Sequence, residues 1–266
     1  GVTSTFIPPS KHRRVGGLGE DGGVAGPVRV VLVHGSQLSG AQWWRYAALL
    51  GPDVELAVPD LPAHGSRRDE PFTWERALEV VGEAVDGGDP GVPVVLVGHS
   101  LGGYLSMAYA AANPQRLSGL ALLGASAVPA GPGAALYRAI ASVEQRLGVD
   151  RMSRALDRQF AALLPDELAA VIKEAGYGFD GIPAAWAGVM GLCRPEMLDE
   201  VTCPVLLVNG QLDQLRVDVR RYARAARSAR WVRVVTVRHG LHVFPLTHPH
   251  ETAAALWEAV TAARGS

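Results

Sequence analysis

The stretch Val94–Gly103, VVLVGHSLGG, decides the reading of the chain. An apolar run from Val94 to Val97 predicts a buried strand. It meets Gly98-His99-Ser100-Leu101-Gly102, and a helix carrying Tyr104, Leu105, Met107, Ala108 and Ala111 on an amphipathic pattern follows. A serine raised on so sharp a strand-to-helix turn needs small residues two positions away on either side, and Gly98 and Gly102 meet that need. The turn leaves the Leu101 N–H at the start of a helix, where unpaired donors and the positive end of the helix dipole can hold an oxyanion. Ser100 is therefore the candidate nucleophile.

Outward from this elbow, the chain reads as alternating strands and helices. Val28–Val33 is a β-branched run of the kind buried on both faces of a parallel sheet. It ends in His34-Gly35-Ser36-Gln37, where the N–H of Ser36 or Gln37 would complete an oxyanion hole with Leu101. Gly40 to Leu50 predicts a helix with Trp43, Ala47 and Leu50 on one face, and Val54–Val58 a second buried strand. Asp60 and His64 fall in a loop dense in turn formers, where such residues bond their own backbone. Thr73–Val85 reads as an N-capped helix with Ala77, Leu78, Val81 and Val85 inward. Gly119–Leu123 is a short strand followed by Gly124-Ala125-Ser126, so no carboxylate stands after it and the acid must come later.

From 129 to 203 the short apolar runs give way to helical periodicity, over Ala134–Leu147, Met152–Leu164, Asp166–Ala175 and Pro183–Leu192. This predicts a helical cap at 129–203 inserted into a core formed by 1–128 and 204–266. Phe160, Tyr177, Trp186 and Met190 are its candidate substrate-binding residues, against the plainer reading, favoured for each taken alone, that apolar residues at helical spacing form the core of the cap.

The sheet resumes at Pro204–Val208. Asp213 stands just past the carboxyl end of that strand, on the rim where open α/β sheets bind ligands, which makes it the orienting acid ahead of Asp218. A helix from Val217 to Ala229 carries Arg220, Arg221, Arg224 and Arg227, a solvated face or a docking surface for an acidic carrier protein. After the strand Trp231–Val237, the base is His239 or His242, with His242 deeper in the loop; Glu251–Ala263 closes the chain as a helix.

The order Ser100, Asp213, His242, with the His34-Gly35 turn and the strand–helix alternation from Val28 onward, resembles the α/β-hydrolase family in its capped esterase-like branch. The resemblance implies a mostly parallel sheet with helices on both faces. It also favours His242, since members often place the base seven residues before a proline opening the last helix, here Pro249. The chain departs from the family in having Gln214-Leu215-Arg216 where a Val-Pro pair commonly follows the acid, and Thr247 where an acidic residue is usual. Serine at the elbow, in place of aspartate, speaks against dehalogenase-like and epoxide hydrolase-like chemistry. The expected reaction is cleavage of a carboxylic ester, lactone or thioester of a small acyl substrate. The alternatives are an acyltransferase or cyclase passing the same acyl group to an amine or alcohol, and a non-catalytic ligand-binding protein.

Composition narrows the classes. A formal net charge of −1, with no long run of like charge, gives no case for nucleic acid. The two cysteines, Cys193 and Cys203, have no metal-ligand spacing and read as free thiols, while the histidines at 239, 242, 248 and 250 lack acidic or cysteine partners. No metal or other cofactor is expected. The sequence holds no membrane span and no signal segment, which predicts a cytoplasmic protein. At the amino end, Thr3–Ile7 predicts an edge strand and the glycine-rich 10–27 a loop.

Overall fold

The computed structural model describes residues 2–7, 26–129 and 148–265. The expected helix Ala134–Leu147 and most of the loop 10–27 lie outside them. The strands are β1 (Val2–Ile7), β2 (Val28–Val33), β3 (Val54–Ala57), β4 (Val94–His99), β5 (Gly119–Leu123), β6 (Val205–Gly210) and β7 (Val232–Val237). They form one sheet in the order β1-β7-β6-β5-β4-β2-β3, parallel throughout except for β1, which pairs antiparallel with β7. The register places Val97 of β4 opposite Leu32 of β2 and Ala121 of β5.

Around the sheet stand α1 (Tyr46–Leu50), α2 (Trp74–Asp86), α3 (Leu101–Ala112), α4 (Val149–Leu163), α5 (Asp166–Ala175), α6 (Ile182–Leu192), α7 (Val219–Ala225), α8 (Phe244–Thr247) and α9 (Pro249–Arg264). Strand alternation divides the core in two. Val30 and Leu32 join α1 and α9 on one face, while Val31 and Val33 join α2, α3 and α7 on the other. A third cluster lies over the carboxyl ends of the strands, where Phe160, Leu164, Leu168 and Ile172 of the α4–α5 region pack on Leu38 and Leu246. No helix among the described residues is long and apolar enough to cross a membrane.

Four elements differ from the sequence expectation. Helix α3 is buried from Leu101 to Ala110, not amphipathic, because α2, α6 and the turn Pro195–Glu200 enclose the side turned away from the sheet. The segment Gly40–Leu50 is a 3-10 turn, Gly40–Trp43, followed by α1; the break shifts the helical phase, so Tyr46 is buried and Ala47 exposed. Strand β3 is shorter than expected and lies at the sheet edge, which leaves Glu55 facing solvent and ion-paired with Arg29. The arginine helix is likewise short, ending at Ala225. Arg221 and Arg227 are tied to Glu196 and Asp199 of the turn beside it.

The chain beyond β5 is held firmly. The Tyr104 and Tyr222 hydroxyls both donate to the Ala127 carbonyl, at 2.7 and 3.0 Å, and the Val128 N–H donates to Asp218 Oδ2 at 2.8 Å. Asp218, the alternative acid, is thus occupied as a loop anchor.

Candidate active site

Ser100 follows β4 directly and adopts φ 53°, ψ −118°, a left-handed backbone region that residues other than glycine rarely enter. Its N–H donates to the Leu123 carbonyl at 2.8 Å, which holds the elbow against the next strand. The glycines on either side are forced by close approach. A Cβ on Gly98 would stand 2.1 Å from the Gly102 carbonyl oxygen, and one on Gly102 would stand 2.5 Å from that of Val33.

The loops after β6 and β7 bring two further groups to the serine. His242 Nε2 lies 3.0 Å from Ser100 Oγ, and its Nδ1 lies 3.0 Å from Asp213 Oδ1. A carboxylate only accepts, so Nδ1 carries the proton and Nε2 offers its lone pair to the serine hydroxyl. The Asp213 side chain is fully buried and Oδ1 also accepts the Leu215 N–H at 2.8 Å. Burial alone would raise its pKa, but the bond from His242, that ring's charge and the Leu215 N–H together outweigh it and leave the carboxyl below its ordinary value. Gly124, at φ 57°, lies against this pair, with the position of a Cβ 2.9 Å from Asp213 Oδ2. His239 is exposed in a left-handed turn, and its N–H goes to Gln211 Oε1. The Gln211 side chain thereby ties the loop after β6 to the loop after β7.

On the other side of Ser100, His64 lies between two carbonyls, with Nε2 2.7 Å from that of Ser36 and Nδ1 2.7 Å from that of Pro62, and the Gln37 carbonyl accepts the Gly178 N–H at 3.3 Å. Among the described residues, no acceptor takes the Ser36 or Leu101 N–H. Asp60 accepts from the Gly40 and Ser66 N–H groups, at 2.7 and 2.8 Å, and so serves its own loop.

A cavity of about 330 Å³ opens onto Ser100 and His242 and is bounded by Ser36, Gln37, Leu38, Leu156, Phe160 and Leu241 among others. Of the four expected substrate-binding residues, Phe160 is on this wall. Tyr177 stands behind it, its ring stacked on Phe160 at 6.3 Å and its hydroxyl on Asp157. Trp186 and Met190 belong elsewhere, in the core beneath α6. That helix packs against α2 closely enough that a Cβ on Gly188 would meet the Trp74 ring at 2.4 Å, and Ala185, Trp186 and Val189 are buried on it. Gln159, Gln214 and Val243, which the sequence reading passed over, also line the cavity. Adjacency of Gln214 to Asp213 is the one sequence signal for them. No group of three or more His, Cys, Asp or Glu side chains arranged to hold a metal occurs among the described residues.

Residues 30–255 match the model of the alpha/beta hydrolase family. The chain is 30% identical over 267 residues to pimeloyl-[acyl-carrier protein] methyl ester esterase of Stenotrophomonas maltophilia, covering 92% of this chain and 94% of that protein. It is 40% identical over 102 residues to lipase LipV of Mycobacterium tuberculosis, a match spanning 38% of each. Among solved structures, a thermophilic esterase from Thermogutta terrifontis has the same fold, with a TM-score of 0.72 at 24% identity over 90% of this chain and 92% of that one. Sheet order, elbow and extent of the family match converge, and the chain belongs to the alpha/beta hydrolase family.

Proposed function

We propose that this protein is a serine ester hydrolase working through an acyl-Ser100 intermediate. The observation that carries the reading is the continuous relay of two 3.0 Å contacts from Ser100 Oγ through the His242 ring to a buried Asp213. Ser100 Oγ attacks the substrate carbonyl carbon while His242 Nε2 takes the hydroxyl proton. Asp213 holds the ring tautomer and stabilises the imidazolium. The Leu101 N–H, with that of Ser36 or Gln37, holds the oxyanion. Collapse breaks the bond to the leaving alcohol, which receives the proton from His242; water, activated by the same ring, then releases the acid and restores Ser100. The 330 Å³ cavity, walled by Leu38, Leu156 and Phe160, suits a short or medium acyl chain.

The reading of residues 129–203 as a cap is supported by the α4–α5 region, which packs on Leu38 of the oxyanion loop and on Leu246 of α8. A carrier-linked ester is a second reading, favoured by the name of the S. maltophilia relative and by Arg220 and Arg224 on the exposed side of α7. The arginine pair at 221 and 227 is already engaged by acidic neighbours.

A fluorophosphonate probe is expected to label one serine, and Ser100→Ala to abolish the label. With a p-nitrophenyl ester, His242→Ala should cost roughly a thousandfold in turnover, because only oxyanion and binding contributions remain. His239→Ala should cost far less. Labelling that persists in Ser100→Ala, or the reverse ranking of the two histidines, overturns the assignment.

A further inference from the structure

His99 ends β4, one residue before the nucleophile, and its ring is buried. Its Nε2 lies 2.9 Å from the His242 carbonyl oxygen. A carbonyl only accepts, and this contact is shorter than the 3.3 Å from Nδ1 to Gln42 Oε1, so the proton of the neutral ring is assigned to Nε2, which donates it. Among the described residues, this is the only hydrogen bond made to the backbone of His242. The opposite edge of the ring faces the oxyanion loop. A Cβ on Gly35 would stand 3.1 Å from Nδ1, and Gln42, whose Oε1 lies 3.3 Å from the same nitrogen, accepts the Gly35 N–H at 3.1 Å. The His99 ring packs 4.9 Å from that of His242 and edge-on to Phe244 at 6.1 Å. Burial, reinforced by the neighbouring His242, lowers the His99 pKa to about 3, so the ring stays neutral while His242 gains and loses its proton.

We propose that His99 is the positioning residue of the base: by donating Nε2–H to the His242 carbonyl, it fixes the base loop against the elbow and sets the reach of His242 Nε2 to Ser100 Oγ. The inference rests on the reading of Ser100 and His242 as nucleophile and base. The side chain of Asp213 grips the ring, but it does not fix where the loop carries that ring. His242 is part-exposed in the connection between β7 and α8, and its backbone has no ladder to hold it. Catalytic geometry has to be kept to within about 0.5 Å, and a displacement of about 1 Å can cost about a hundredfold in rate.

The test compares amide replacements that imitate different ring nitrogens. His99→Gln reaches the position of Nε2 and keeps the donor; His99→Asn reaches only that of Nδ1 and leaves the carbonyl unpaired; His99→Phe keeps the ring volume with no donor at all. With p-nitrophenyl acetate, the Asn and Phe variants should lose about 30-fold in kcat with KM held within about twofold, and the Gln variant should recover about tenfold over Asn. Fluorophosphonate labelling of Ser100 should slow in the same order. Equal kcat for the Gln and Asn variants, a loss confined to KM, or an unchanged labelling rate overturns the proposal. The Gln–Asn comparison stands even if the Phe variant does not fold. A wild-type protein that neither turns over ester nor takes the probe sinks the underlying reading instead, which separates the two failures.

Discussion

Alanine at Gly124 should disturb the Asp213–His242 pair without dismantling the fold. Gly124 has φ 57°, so a side chain there incurs a left-handed backbone cost of about 1–2 kcal/mol. The added Cβ would lie 2.9 Å from Asp213 Oδ2 and 3.2 Å from His242 Cε1 and Nδ1. Neither group yields freely, because Asp213 Oδ1 is fixed by both His242 and the Leu215 N–H. The carboxylate and ring therefore shift by a few tenths of an ångström, and since about 1 Å costs about a hundredfold, kcat/KM should fall about tenfold. A total destabilisation of about 2 kcal/mol corresponds to a drop of about 4–8 °C in melting temperature for a domain of this size. The control is Gly51→Ala, at φ 75° with no atom within 4 Å of the added Cβ. It should lower the melting temperature through backbone strain of about 1–3 kcal/mol and leave turnover alone. Thermal melts and p-nitrophenyl acetate hydrolysis on both variants settle the matter. Full activity in Gly124→Ala, or an equal loss of activity in Gly51→Ala, would refute the reasoning.

Acid stability follows from two buried histidines. Burial first, and nearby histidine second, lowers His34 and His99 from 6.5 to about 3. Between those values the unfolded chain binds protons that the folded chain refuses, so stability is complete above about pH 6.5 and declines as pH falls, by up to about 1.4 kcal/mol per pH unit for each ring. The depressed Asp213 carboxyl adds to the same loss on the acid side. Melting temperatures should be level from pH 7 to 8 and drop steeply from pH 6 to 4; a flat acid limb contradicts the histidine burial. The thiols make the last case. Burial pushes Cys193 and Cys203 up to about 12, so Ellman's reagent at pH 8 should find neither in the native protein and both in guanidinium. Fast native labelling would mean that one of them is open to solvent.

Much of the fold is legible in the sequence, and the reasons are local. Val28–Val33, Val94–Val97 and Gly119–Leu123 are short, apolar and bounded by turn formers, so their place in a parallel sheet can be read directly. The elbow carries its own steric rule at Gly98 and Gly102. What could not be read was which neighbour a face meets. The spacing of Trp186 and Met190 marks an apolar helix face, but spacing alone does not say whether that face meets the core or the cavity. Position 99 is visible as a histidine in the elbow, while its partner, the carbonyl of His242, lies 143 residues away. Tyr46 replaced Ala47 inside because a 3-10 turn before it offsets the helix, a change of phase that periodicity alone does not reveal.

The two tyrosine hydroxyls that meet on the Ala127 carbonyl occupy both of its lone pairs, and one of them comes from α3, the helix that follows Ser100. The chain thus leaves β5 through a clamped joint, with Val128 fastened to Asp218 just beyond it. For chimera design, the joint identifies where foreign sequence should enter. A segment grafted from a relative in place of 129–203 would inherit its anchorage if the splice falls after Val128. A splice at Leu123 would discard both tyrosine contacts and leave their hydroxyls buried without the carbonyl they share.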